Sequence, residues 1–179
     1  MTHASLYSWA ALLLIVVSTL CSCNRTVVGG TLAPEIYATD SITGRYDFGI
    51  EMGKTAQGGI MMARSTDNGV RLVATSYFGL SLFDLTLSPE GYKLNNCIDF
   101  LDKPQIWQLL YNDFSLLFLP QYEGKISKDK QGNIVMKGGK GIASGKITYN
   151  PQSQETKIKH KWIGMKITLK PIETKQTTE

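Results

Sequence analysis

The sequence predicts a mostly-β (α+β) fold, in which a curled antiparallel sheet forms an incomplete barrel with apolar helices across its open side. Apolar and polar residues alternate in short runs along most of the chain, which is typical of strands with one buried face. Short turn signals separate these runs and favour antiparallel neighbours. The nine predicted strands are too many to remain flat, so we expect the sheet to curl.

Residues 1–22 are predicted to be a lipoprotein signal peptide. The apolar core between Leu6 and Leu20 has about a dozen residues, which is too short for a bilayer span and typical of a signal peptide. It ends in Leu20-Cys21-Ser22-Cys23, which resembles a bacterial lipobox and predicts Cys23 as the lipid-bearing residue. Because no Lys or Arg precedes the apolar core, an ordinary cleaved signal or a short anchor helix remains an alternative.

The remaining cysteines allow no disulfide within the mature domain. Cleavage removes Cys21 and acylation uses Cys23, so Cys97 alone is left, and we expect it to be a half-buried strand residue. Asn24 follows the lipid-bearing cysteine where an acidic residue would retain a lipoprotein in the inner membrane. The predicted location is therefore the periplasmic face of the outer membrane, with residues 23–33 as a lipidated tether.

Residues 34–172 form the predicted domain, which begins with a short helix at about 33–39 and five strands in a meander. The strands are expected at 45–52, 60–65, 70–76, 80–87 and 92–98. Two strong turn signals separate neighbouring strands, at Thr66-Asp67-Asn68-Gly69 and Ser88-Pro89-Glu90-Gly91. A longer turn is expected at residues 54–59.

The apolar period then changes to that of a helix. Asp102 is the expected N-cap before Lys103-Pro104, and the helix should end before Pro120. Four further strands are expected at 134–137, 141–150, 155–163 and 165–170, and a polar tail at 173–179.

One stretch of the chain carries a family pattern. Gly44-Arg45 opens a strand, Ser76-Tyr77-Phe78-Gly79 joins the third predicted strand to the fourth, and an apolar helix runs from Pro104 to Leu117. This pattern, over about Thr43 to Leu119, resembles the LolB-like half-barrel outer-membrane lipoproteins. Tyr77 replaces the family's loop proline, and Phe78 stands at its apolar tip.

The resemblance implies a protein that binds acyl chains of lipids or lipoproteins and delivers them to the membrane. A soluble LolA-like carrier is then an expected partner. Tyr77 and Phe78 would form a membrane-contacting loop, and the alternative is that they close the end of the core. An apolar cavity for the acyl chains would be lined by Phe48, Ile50, Met62, Leu72, Leu82, Leu94, Trp107, Leu110 and Ile167.

The alternative for this apolar face is a filled core, which would make the protein a non-catalytic structural or interaction lipoprotein. We expect no enzyme, cofactor or metal, since the chain has no H-E-x-x-H, G-x-S-x-G, zinc cysteine pair or phosphate loop. His160, between lysines, is expected to be solvated. The net charge of +4 is too mild to indicate nucleic-acid binding. Lys157, Lys159 and Lys161 are expected on the wet face of a strand, with contact to anionic headgroups as the alternative.

Overall fold

The structure is a computed structural model that describes residues 44–119, 125–137 and 145–172. In these ranges the chain is mostly β, with a single α-helix, α1, at Pro104–Phe118. The strands are β1 Gly44–Met52, β2 Thr55–Thr66, β3 Gly69–Ser76, β4 Ser81–Ser88, β5 Gly91–Cys97, β6 Lys125–Lys128, β7 Ile134–Lys137, β8 Lys146–Asn150, β9 Glu155–His160 and β10 Met165–Pro171. The predicted signal peptide, the lipid site Cys23, the tether, the first helix and the tail lie outside the described residues.

The ten strands form one open antiparallel sheet in the order β5-β4-β3-β2-β1-β10-β9-β8-β7-β6. Strands that follow each other in sequence are neighbours in the sheet, except β5 and β6, and the order of β1 to β5 confirms the predicted meander. The one pairing between strands distant in sequence is that of β1 with β10, which sets Phe48 opposite Leu169. Because β5 and β6 are the two edge strands, the chain between them, which includes α1, crosses from one edge of the sheet to the other.

The start of β2 differs from the prediction. The expected turn at residues 54–59 is wrong, since Gly53 and Lys54 alone turn the chain and β2 begins at Thr55. The two glycines that indicated a turn lie within the strand instead. A Cβ atom at Gly59 would lie 1.9 Å from the carbonyl oxygen of Thr75, so close approach of β3, and not a bend, requires glycine here.

Met62 lies on the opposite face of the sheet from the one predicted. Tyr46 of β1 pairs with Met61, and Arg45 pairs with Met62. Directly paired residues point to the same face, so Met61 joins buried Tyr46 while Met62 is 40% exposed. Two consecutive methionines fit either parity, and the tight β1–β2 turn fixes the register that decides between them.

Helix α1 ends at Phe118, before Pro120, as predicted, but the predicted Asp102 cap is wrong. Lys103 occupies the N-cap position, and no side chain caps the helix. A 3₁₀ turn at Asp99–Leu101 precedes the helix, and the Asp102 amide donates to the Asp99 carbonyl. No helix in the described ranges is long and apolar enough to cross a bilayer.

The second half of the sheet also departs from the predicted bounds. β6 was not predicted, because Ile126 is its one apolar residue, whereas the equally short β7 has three and was predicted. β9 ends at His160, so Ile163, predicted as strand, lies in the turn that leads to β10.

Candidate functional site

The buried face of the sheet packs against α1 through a cluster of aromatic rings. Phe83 of β4 lies at its centre, with ring centroids 5.5 Å from Phe48, 5.5 Å from Trp107 and 6.3 Å from Phe114. These are the separations of packed aromatic pairs. Side chains therefore fill the interior where α1 crosses β4.

Most of the residues predicted to line a cavity face this interior. Buried side chains are those of Phe48, Ile50, Leu72, Leu82, Trp107, Leu110 and Ile167. Leu94 is partly buried and packs against the same cluster, whereas Met62 is on the other face. The sheet and helix thus bring eight of the nine predicted residues to one apolar core, and a ligand site within this core stays a prediction.

Asp113 of α1 and His160 of β9 form a buried pair that the sequence did not predict. Asp113 Oδ2 lies 2.5 Å from His160 Nε2, and the two side chains are 1% and 3% exposed. Burial raises the pKa of the Asp113 carboxyl, and the hydrogen bond to His160 partly opposes that rise. The expectation of a solvated His160 is wrong, because it shares its face of β9 with buried Thr156 and Ile158.

The surroundings of this pair are tight. A Cβ atom at Gly145 would lie 2.5 Å from Asp113 Oδ1 and 2.9 Å from the His160 ring, so only glycine fits there. Within the described residues, Asp113 Oδ1 has no hydrogen-bond partner. The pair fastens α1 to β9, and we derive no catalytic role from it.

The loop between β3 and β4 carries Phe78 into solvent. The Ser76 amide donates to the Leu80 carbonyl at 2.7 Å, and the Leu80 amide donates to the Ser76 hydroxyl at 3.0 Å. Gly79 completes the turn with φ +83°. The Phe78 side chain is 94% exposed, and Leu80 is 67% exposed. Phe78 therefore does not close the end of the core.

Tyr77 behaves differently from Phe78. Its ring folds back over Gly58, and its hydroxyl donates to Asp47 on the outer face of the sheet. This hydrogen bond raises the pKa of Tyr77. Of the two residues predicted to contact a membrane, Phe78 is almost fully exposed, whereas Tyr77 is 63% exposed and ties the base of the loop to Asp47.

The turn between β9 and β10 exposes a second apolar group that sequence reasoning missed. Trp162 is 79% exposed and Ile163 is 39% exposed. Trp162 continues the inward parity of Ile158 and His160, which would place it in the core of a longer strand. Instead the chain turns at residues 161–164, where Gly164 has φ +60°. This glycine was the sequence signal that could have predicted the turn.

A cleft of about 370 Å³ lies at the opposite end of the strands from Phe78 and Trp162. Its walls are the β2–β3 turn at Asp67 and Asn68, Pro89-Glu90 and the end of α1 at Leu119. The volume is that of a small-ligand site. The cleft contains none of the predicted lining residues, and its mainly polar loop walls do not suit an acyl chain.

Two further features of the described residues concern cysteine and metal-binding groups. Cys97 is half-buried and free, as expected for its place at the end of β5. No group of three or more His, Cys, Asp or Glu side chains in the described part of the chain could hold a metal ion. No known protein-family model and no curated protein matches the chain.

Proposed function

We propose that the protein is an outer-membrane lipoprotein, anchored through Cys23 on the periplasmic face, with a LolB-like half barrel. It binds acyl chains of lipids or lipoproteins, received from a soluble LolA-like carrier, and delivers them to the membrane. The observation that carries the proposal is the 94% exposed ring of Phe78 at the tip of a clamped loop. Moving such a ring from water into lipid is favourable by roughly 1.5–3 kcal/mol.

Contacts of α1 support the half-barrel shape. Phe114 packs against Phe83 of β4, while the adjacent Asp113 contacts His160 of β9. These strands are five places apart in the sheet order, which is about 24 Å in a flat sheet. A helix with its side chains is about 10–12 Å across, so contacts on both sides favour a sheet that curls around α1.

The apolar face beneath α1 is the proposed acyl site. Its lining is aliphatic and aromatic, and Met61 and Met165 add side chains that adapt to varied shapes. Because the interior beneath the helix is filled, an acyl chain enters only as α1 moves away from the sheet. The proposal therefore includes a displacement of α1, in which side chains of α1 and the sheet lose contacts with each other and gain contacts with the acyl chain.

The close packing of the same interior supports a second candidate function, that of an interaction lipoprotein with a permanently filled core. Phe83 contacts three aromatic neighbours at 5.5–6.3 Å. In that case the apolar loops would bind another protein, and no acyl chain would enter the domain.

Acyl transfer from the protein to vesicles, followed with a fluorescent fatty acid, separates the two candidates. The first predicts saturable binding that a natural fatty acid displaces, followed by transfer to the vesicles. Phe78→Glu should leave binding intact and slow transfer by about tenfold or more, given the free energy of burying one phenyl ring. Met62→Glu, at another exposed apolar position away from the loop, is the matched control and should transfer at the normal rate.

Absence of saturable binding in the unaltered protein would reject the acyl-chain proposal in favour of the second candidate. Equal transfer by Phe78→Glu and the unaltered protein would show that the loop has no part in delivery.

A further inference from the structure

The turn between β9 and β10 lies at the same end of the strands as the Phe78 loop. Met52 of β1 pairs with Met165, and Met165 pairs with His160, so the β1–β2 and β9–β10 turns are neighbours. β3 also ends toward this end of the strands, because its last residue, Ser76, pairs with Gly59 in the first half of β2. Exposed Trp162 thus lies at the end of the strands that carries the Phe78 loop.

Five lysines lie at the same end of the strands as Trp162. They lie at the ends of β8, β9 and β10 and in the β1–β2 and β9–β10 turns: Lys54, Lys146, Lys159, Lys161 and Lys166. Within residues 51–56, 145–147 and 158–166, Glu51 is the one acidic residue, and it is paired with Lys166 at 2.7 Å. The exposed Asp99 and Asp102 follow β5 and lie at this end of the sheet beside the Phe78 loop, because Phe83 near the start of β4 pairs with Cys97.

We propose that this lysine-flanked turn docks on the anionic headgroups of the bilayer, with Trp162 buried at the level of the interface. Tryptophan prefers that level because its ring is apolar and its N–H finds a hydrogen-bond partner there. Each lysine near an anionic surface strengthens association by about fivefold. Together with Phe78, the turn gives the domain two contacts at one end of its strands, and these two contacts orient that end toward the lipid.

This inference uses the proposed Cys23 anchor only to bring the domain to a bilayer, and it needs no acyl binding. The exposure of Trp162 also makes it a direct reporter. The chain has three tryptophans, Trp9, Trp107 and Trp162. Cleavage before Cys23 removes Trp9, so the emission of the acylated chain minus that of its Trp162→Phe variant isolates Trp162, since both proteins keep Trp107.

The test is fluorescence quenching by brominated phospholipids of the full acylated chain reconstituted into vesicles. We expect the Trp162 difference emission to shift to the blue and to be quenched, more strongly by bromine near the headgroup than by bromine deep in the acyl region. Quenching should be stronger in mixed phosphatidylcholine and phosphatidylglycerol vesicles than in phosphatidylcholine alone. The double variant Lys54→Glu/Lys161→Glu should lose this preference for anionic vesicles.

A tryptophan at the opposite end of β9 is the matched control. Gln152 is exposed in the β8–β9 turn, so Gln152→Trp in the Trp162→Phe chain carries the same tether and the same number of tryptophans. This tryptophan should remain unquenched. Equal quenching of both would mean that the domain has no preferred orientation and would overturn the proposal.

An unquenched Trp162 would also overturn it and would assign the turn to a protein partner. Quenching that is equal in both vesicle types would reject the role of the lysines. Acyl uptake measured on the same preparation keeps the two proposals separate. Docking without uptake rejects the acyl-carrier function alone, and uptake without docking rejects this inference alone.

Discussion

At the scale of single residues, burial of Tyr46 sets a limit on stability in alkali. The side chain is 5% exposed and its ring centroid lies 5.8 Å from that of Phe118. Burial raises the pKa of Tyr46 from 10.0 to about 12. Because the folded state favours the neutral phenol, the contribution to stability is complete below pH 10 and is lost as the pH rises toward 12.

We therefore expect urea unfolding of the unaltered protein to become easier between pH 10 and about 12 by more than that of Tyr46→Phe. Other groups that titrate in this range are common to both proteins, so the difference isolates Tyr46. Identical pH dependence of the two proteins would contradict burial of the hydroxyl.

Single residues also show where sequence reasoning stops. Alternation identified Phe48, Ile50 and Leu72 as buried, because each lies in a run with one consistent parity. Met62 failed because its neighbour Met61 is equally apolar, and His160 failed because its partner Asp113 is 47 positions away in the chain. The loop residue Phe78 could be identified from the sequence, but its exposure follows from the Ser76–Leu80 hydrogen bonds, which composition does not reveal.

At the scale of elements, the contact between α1 and β9 depends on the Asp113–His160 pair. Removal of one partner from a buried pair costs about 3–5 kcal/mol, because the other is left without a partner in the interior. We expect His160→Ala to lower the free energy of unfolding by about this amount. The double variant Asp113→Ala/His160→Ala should lose clearly less than the sum of the two single variants.

Urea denaturation of the four proteins in this cycle measures the coupling. Additive losses would mean that the two side chains do not interact, and the position of α1 against β9 would then need another cause. The same variants bear on the proposed movement of α1, since a helix with no link to β9 should leave the sheet more readily and take up acyl chains faster.

Elements joined by tight turns could be predicted, and those joined over long distances could not. β1 and β3 to β5 lie close to their predicted bounds, because Asp67-Asn68 and Pro89-Glu90 mark the turns between strands. β2 begins five residues early, since Gly58 and Gly59 serve close packing and not a turn. β6 was not predicted because its sequence, Lys-Ile-Ser-Lys, has one apolar residue and gives no alternation.

At the scale of the whole molecule, one non-local pairing builds the sheet. β1 and β10 join two meanders, and the pairs from Tyr46–Pro171 to Met52–Met165 fix their register. Alternation predicts that both strands are half-buried but carries no information about which strands pair. The sequence therefore predicted nine of the ten strands and α1, but not that β5 and β6 lie at the two edges of the sheet between which α1 crosses.

The position of Phe78 and Trp162 at the same end of the strands is likewise a property of the whole molecule. The two residues are 84 positions apart, and only the β1–β10 pairing brings their turns to one side of the sheet. The polar cleft at Asp67 and Glu90 lies at the opposite end of the strands. One end of the strands thus carries the exposed rings of Phe78 and Trp162, with lysines in and beside the β9–β10 turn, and the proposed bilayer contact uses this end.

The central claim, that the domain binds acyl chains, is tested most directly by native mass spectrometry of residues Asn24–Glu179 purified from bacterial cells. The account predicts bound species with the masses of fatty acids, phospholipids or lipopeptides, which free fatty acid displaces. A clean mass of the protein alone, unchanged after incubation with lipids and lipopeptides, would contradict the claim. The filled core around Phe83 would then be permanent, and the end of the strands that carries Phe78 and Trp162 would be a surface for a protein partner.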